Sequence, residues 1–263
     1  AIENAKLLLA SGAANSSDQV GRNLMDHMTV LRWGLSKDPI YPYRGPGSTS
    51  NIPTFTDGEF RSGHAAWILP LDNWGWAWPT GSPATDVINA VNEGIIGKEL
   101  RAKIENLVTR QFFTHFECEQ APDPDNRVRI DPQYKDNIGN YRPIIYYKAT
   151  EYMLKAFEAS GIVSEQLFSQ CGIEDFTSYN PASDADYVTY KGKGYTFAGA
   201  GHIVGTHRMG FSKEDSVVDA NMRTWDHENL YLVGCGNMPT LGTSNPTLTM
   251  SALTFKAAEA ILQ

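Results

Sequence analysis

The sequence predicts a mixed fold of the α+β/α/β kind, and three observations carry that expectation. Short strand-like runs alternate with turns through the middle of the chain, the pattern of an antiparallel sheet joined by hairpins. Asn229-Leu230-Tyr231-Leu232-Val233-Gly234 is a short apolar strand of the kind buried in a parallel sheet. A helical pattern then runs from Pro246 to Leu262, with apolar residues at 248, 252, 255, 258 and 262.

The elements follow in order. From Ala1 the chain reads as an amphipathic helix already under way, apolar at 2, 5, 8 and 9, with Gly12 as its stop. Residues 13–30 form a loop. Residues 36–64 are rich in Pro, Gly, Ser and Thr and read as irregular surface chain. An aromatic run spans Trp67 to Trp78, and residues 86–110 have a helical period. Phe112 to Glu119 alternates like a strand. The turn Asp123-Pro124-Asp125-Asn126 leads to a returning strand at Arg127–Ile130, and a third strand covers Pro143–Tyr147. Thr150 is an N-cap for a helix from Glu151 to Gln170.

Composition excludes several classes of function. The 263 residues carry a net charge of −8, and no basic stripe is visible for a nucleic acid to bind. No apolar run approaches the ~20 residues that cross a bilayer, so a soluble protein is expected, cytoplasmic or periplasmic/secreted. The three cysteines, Cys118, Cys171 and Cys235, stand far apart, which argues against a disulfide framework or a structural zinc site. The sequence lacks an initiator Met and opens inside a helix. We expect it to be the C-terminal part of something longer.

Four segments carry chemistry. They are Glu3-Asn4-x-x-Leu7-Leu8-Leu9, then Gly21-Arg22-Asn23-Leu24-x-Asp26-His27, then His202-x-x-Gly205-Thr206-x-x-Met209-Gly210, then Asn245-Pro246-Thr247-Leu248-Thr249. In this order they resemble the glucose–methanol–choline (GMC) oxidoreductases, FAD enzymes that oxidise alcohols. The likeness covers residues 1–30 and about 115–263. With Gly234-Cys235-Gly236-Asn237-Met238-Pro239, it is most similar to pyranose oxidases and to flavin subunits of sugar dehydrogenases. The resemblance implies a remnant of the FAD-binding domain at 1–30, a substrate domain at 31–195 and a C-terminal flavin-domain segment at 196–263.

It also implies roles. His202 would be the base that takes the hydroxyl proton, a task suited to a neutral imidazole near pH 7. On spacing alone it is a hydrogen-bonded histidine in a glycine-rich loop. Asn245 would hold the substrate oxygen beside His202; read locally, it caps the final helix. Asn23, Gly236, Asn237, Pro246 and Thr247 would line the flavin. His207 would be structural or a pocket wall for substrate. His202 and His207 lie five apart with no third ligand nearby, so no metal is expected. Trp74 and Trp76 would stack on a sugar ring, or simply fill core and loop.

One part of the family pattern is missing. The Gly-x-Gly-x-x-Gly loop that sets a pyrophosphate on a helix N-terminus is absent from this sequence. The expected partners are therefore a sugar or glycoside, an N-terminal FAD-binding segment or chain, and an electron-acceptor subunit or further copies. Two rivals stand beside this reading: the same fold acting on a polyol or aromatic alcohol, and a non-catalytic fragment serving in assembly.

Overall fold

The computed structural model describes residues 1–73 and 83–263. In chain order the elements are α1 (Ile2–Ser11), β1 (Met28–Leu35), β2 (Ser48–Ile52), β3 (Trp67–Asp72), α2 (Pro83–Asn92), α3 (Gly97–Val108) and β4 (Gln111–Cys118). They continue with β5 (Arg127–Arg129), β6 (Ile144–Tyr146), α4 (Glu151–Cys171), β7 (Glu174–Asp175), β8 (Tyr187–Tyr190), β9 (Lys193–Gly199) and α5 (Thr247–Leu262). The fold is mixed α/β, as the sequence predicts. No described helix is long and apolar enough to cross a membrane.

The chain divides into two compact units. Unit 1 joins Ala1–Met28, Glu119–Thr150 and Gly199–Gln263; unit 2 joins Thr29–Cys118 and Glu151–Ala198. Residues 119–150 cluster with the two ends of the chain. The reason is packing of the β5–β6 hairpin. Val128 is fully buried in the same apolar cluster as Ala5 and Leu8 of α1, Val20, Leu24, Val218 and Leu232. The chain at Gly21 runs so close to this hairpin that a Cβ there would meet the Val128 carbonyl at 2.4 Å. α1 ends at Gly12 in the left-handed conformation (φ 67°), whose amide bonds back to Leu8.

Unit 2 is built on a seven-stranded sheet of order β2-β3-β4-β1-β9-β8, with β7 paired antiparallel to β1. The β2–β3, β3–β4 and β8–β9 pairs are antiparallel. α4 buries Met153, Ala156, Phe157, Ser160, Gly161, Ser164 and Phe168, a stripe at helical spacing, against one sheet face. Phe168 meets Phe112 edge-on, and Phe157 packs on Tyr195 and Phe197. Near the other end of the sheet, Trp67 stacks on Phe55 and His64. The helical pattern at 86–110 resolves into α2 and α3, because Gly94 (φ 81°) and Gly97 (φ 63°) turn the chain between them.

Two expectations need correction. The apolar run 229–234 forms no strand; Tyr231 makes a single bridge with Arg223. The irregular stretch 36–64 contains β2, which pairs with β3 across Ile52–Leu69.

Candidate active site

A polar cluster forms inside unit 1 where three distant segments meet. Met25 and Val204 make an antiparallel bridge, with N–H to carbonyl distances of 3.1 and 2.9 Å. That bridge sets Asp26 and His27 beside the loop 199–202. The Ala200 amide donates to the His27 carbonyl at 3.1 Å. The Asp26 carboxylate accepts the His202 amide at 2.7 Å and the Gly201 amide at 3.2 Å. Burial pushes the Asp26 carboxyl up, while these two N–H groups pull it back. Tyr147 stands behind, its hydroxyl 2.9 Å from the Asp26 carbonyl and 2.7 Å from Gln120 Oε1. Burial pushes the Tyr147 phenol up. The crossing admits no side chain at Gly205, where φ is 92° and a Cβ would lie 2.1 Å from the Asn23 carbonyl.

The ring of His202 is half-buried and lies between two partners. Its Nδ1 is 2.8 Å from Nδ1 of His27, the rings edge to face with centroids 5.0 Å apart. Its Nε2 is 3.3 Å from Nδ2 of Asn245. Fully buried His27 uses its Nε2 on the Gly242 carbonyl at 2.5 Å. Asn245 is exposed and does not cap α5; Pro246 occupies the cap position, and no side chain caps the helix. The first intrahelical bond runs from the Met250 amide to the Pro246 carbonyl, so the amides at the start of α5 are not used within the helix.

The remaining candidates fall in different settings. His207 is fully buried, with Nδ1 2.8 Å from Asn237 Oδ1 and Nε2 3.2 Å from Asn4 Nδ2. Burial pushes its imidazole down to about 4, so it is neutral at pH 7. The ring has no exposed surface in this chain. Asn237 is equally enclosed and donates to the Leu232 carbonyl at 2.7 Å. Gly236 lets His207 fit, since a Cβ there would stand 2.0 Å from the ring. Asn23 is buried with φ 58° and donates to Gln19 at 2.8 Å. Pro246 is buried and Thr247 exposed at the head of α5. Trp74 and Trp76 lie outside the described residues.

Sequence reasoning gave no role to Asp26 and His27, although both stand in a quoted motif. Nothing local could pair His27 with a residue 175 positions away. Unit 2 has a cavity of about 240 Å³ lined by Leu31, Trp33, Phe113, Ser178, Tyr179, Asp184 and Thr196.

The chain is 35% identical over 99% of its length to the fructose dehydrogenase large subunit of Gluconobacter japonicus, and covers 45% of that protein. It is 43% identical over 95% of its length to 2-methyl-1,2-propanediol dehydrogenase of Mycolicibacterium austroafricanum, covering 43% of it. The chain thus spans under half the length of these curated relatives. Among solved structures, formate oxidase from Aspergillus oryzae superposes with a TM-score of 0.62 at 14% identity, over 98% of this chain and 52% of that one, a likeness of fold. Residues 117–254 match the C-terminal model of the GMC oxidoreductases. That match takes in β5, β6, the 199–207 loop, Asn245 and the first half of α5, and by it the chain belongs to the GMC oxidoreductase family.

Proposed function

We propose that this chain carries the proton-abstracting part of an FAD-dependent enzyme that oxidises a sugar or glycoside hydroxyl to a carbonyl. The observation that carries the reading is the pair His202 Nε2 and Asn245 Nδ2, 3.3 Å apart at the head of an uncapped helix. A substrate hydroxyl set between them gives its proton to His202, and Asn245 donates to the oxygen. Loop residues Gly201 and His202 are held for this by Asp26.

The residues present fit a flavin. The amides of Thr247 and Leu248 form a donor set with the positive end of the α5 dipole, suited to an edge that gains negative charge. Bound FAD would supply the hydride acceptor. Large apolar residues of α1 and α5 stand exposed, Leu7, Leu248 and Phe255 among them, and would pack against the dinucleotide-binding part. We place the pyrophosphate loop in that part, since none occurs in this sequence. In this reading residues 31–195 serve substrate, and both end segments serve the flavin.

A sugar is favoured by the 35% identity to the fructose enzyme over 99% of this chain. The specific pyranose-oxidase-like branch belongs to this proposal. A second reading, a small diol, rests on the 43% identity to the propanediol dehydrogenase.

Stopped-flow flavin reduction in the holoenzyme tests the reading. His202→Ala is expected to slow reduction by about 10²-fold or more with FAD still bound. A fall of less than tenfold removes His202 from the role.

A further inference from the structure

Asn4, His207 and Asn237 take no part in the proposed proton transfer, yet they meet in one network inside unit 1. The direction of each bond follows from the two ends of that network. A carbonyl oxygen only accepts. The Leu232 carbonyl, 2.7 Å from Nδ2 of Asn237, therefore fixes that amide with its Oδ1 toward the His207 ring. Oδ1 also only accepts, so His207 Nδ1, 2.8 Å away, carries the proton. The Val233 carbonyl, at 3.3 Å, requires an N–H from Asn4 in the same way. The second hydrogen of that Nδ2 serves His207 Nε2 at 3.2 Å, which is the lone pair of a neutral ring protonated at Nδ1. The network starts and ends on consecutive carbonyls. Turning over either amide would set oxygen against oxygen.

The backbone on each side shows what the ring holds together. The amides of Gly205, His207 and Met209 donate to the carbonyls of Cys235, Gly236 and Asn237 at 3.3, 3.0 and 2.8 Å. The first of these segments carries His202, five residues before His207; the second leads to Asn245, eight residues after Asn237. Past this ladder, Met238 and Leu241 of the second segment pack with Met25 and Val204 in one buried cluster. From this we infer that His207 is a positioning residue that keys the segment bearing His202 to the segment bearing Asn245, and so sets the separation of the two side chains that would receive the substrate hydroxyl. The inference rests on the proposed role of that pair. An apolar side chain of similar bulk would fill the space of the ring. It would also leave the fully buried Asn237 with an unpaired Oδ1 and remove the bond that holds the 234–237 turn in register. No bond to His207 is made or broken in the reaction.

Stopped-flow reduction of the FAD-loaded holoenzyme, with the hexose that the wild type oxidises fastest, tests this. His207→Asn keeps a donor for Asn237 Oδ1; His207→Leu has none. We expect His207→Leu to lower the limiting rate by about tenfold or more, while the substrate dissociation constant moves by less than about threefold. His207→Asn should recover most of that loss. A ring that merely fills space predicts the reverse order, because Leu fills it better. A limiting rate in His207→Leu within about twofold of wild type overturns the inference. Should that variant fail to load flavin, Asn4→Ala removes only the bond at Nε2 and is expected to slow reduction by a few-fold; an unchanged rate there overturns the inference too. Long-range proton–nitrogen NMR of the ¹⁵N-histidine-labelled wild type reads the ring directly, with His207 assigned from signals lost in His207→Asn. It should show a neutral ring at pH 7 with Nδ1 protonated, and a proton on Nε2 instead overturns the assignment. Failure of the parent reading looks different: His202→Ala would then reduce its flavin at a near-normal rate, whatever the His207 variants do.

Discussion

His207 in unit 1 and His115 in unit 2 are both enclosed histidines, yet their surroundings drive them in opposite directions. His207 sits between the neutral amides of Asn237 and Asn4, and burial pushes it down to about 4. Burial would lower His115 as well, but Asp72 at 2.5 Å and Glu117 at 3.3 Å outweigh it and hold the imidazole up at about 9. One unit fixes a ring with neutral hydrogen bonds, where direction matters and charge is avoided. The other ties strands β3 and β4 together with a charged ring between carboxylates. The difference teaches that partners decide the charge of an enclosed ring: neutral amides leave His207 uncharged, and two carboxylates keep His115 charged.

The largest expected effect comes from removing that clamp. His115→Ala leaves Asp72 and Glu117 without their shared cation, and breaking a buried pair costs about 3–5 kcal/mol. Denaturant unfolding, with hydrogen exchange on the Gln111–Cys118 strand, measures it. A loss under about 1 kcal/mol would break the contrast, because the ring would then be no more than filler.

A smaller loss is expected in unit 1. Gly236→Ala drives a methyl into the His207 ring, and overpacking of this kind costs about 1–3 kcal/mol. His207→Ala vacates the space, so the double variant should lose less than the sum of the two. Simple additivity in a thermal or denaturant melt would mean that the two groups do not share one cavity.

The pH dependence should be gentler still and of opposite sign in the two units. The raised His115 contributes stability that is fully present below about 6.5, its unfolded value, and is lost as pH rises through about 9. The lowered His207 contributes stability present above about 6.5 and lost as pH falls through about 4. Asp26 runs against His207, because a carboxyl raised by burial stabilises most at low pH. Exchange protection should therefore weaken in β4 toward alkali. In the 199–210 loop His207→Gln should flatten any acid limb. Equal slopes in both regions would erase the distinction.

The same contrast explains what could be read from the sequence. α1, α4 and α5 were legible because a one-sided apolar stripe survives in each; β4, β5 and β6 were legible from alternation and their flanking turns. β1 was not: its burial runs high at both ends with a half-buried middle, so no period of two shows in Met28–Leu35. The run 229–234 misled because apolar content cannot say whether a neighbouring strand exists. In the site, the nearness of His202 and Asn245, 43 positions apart, is legible only through the family resemblance. The His27 contact was not legible at all, since it depends on a bridge between Met25 and Val204 that neither segment announces.

That bridge also sets a schedule. His27 and His202 are 175 positions apart, and both units are assembled from segments that leave and return. At about 5–20 residues per second, a ribosome would deliver His202 roughly 10–35 s after His27. Throughout that interval the Asp26–His27 segment has none of its 199–207 partners to close against, and unit 2 likewise waits for residues 151–198. The candidate site of this chain thus closes only after residues 199–245 have been made. A pause in translation between the two histidines would prolong the time during which chaperones and proteases meet an unfinished protein.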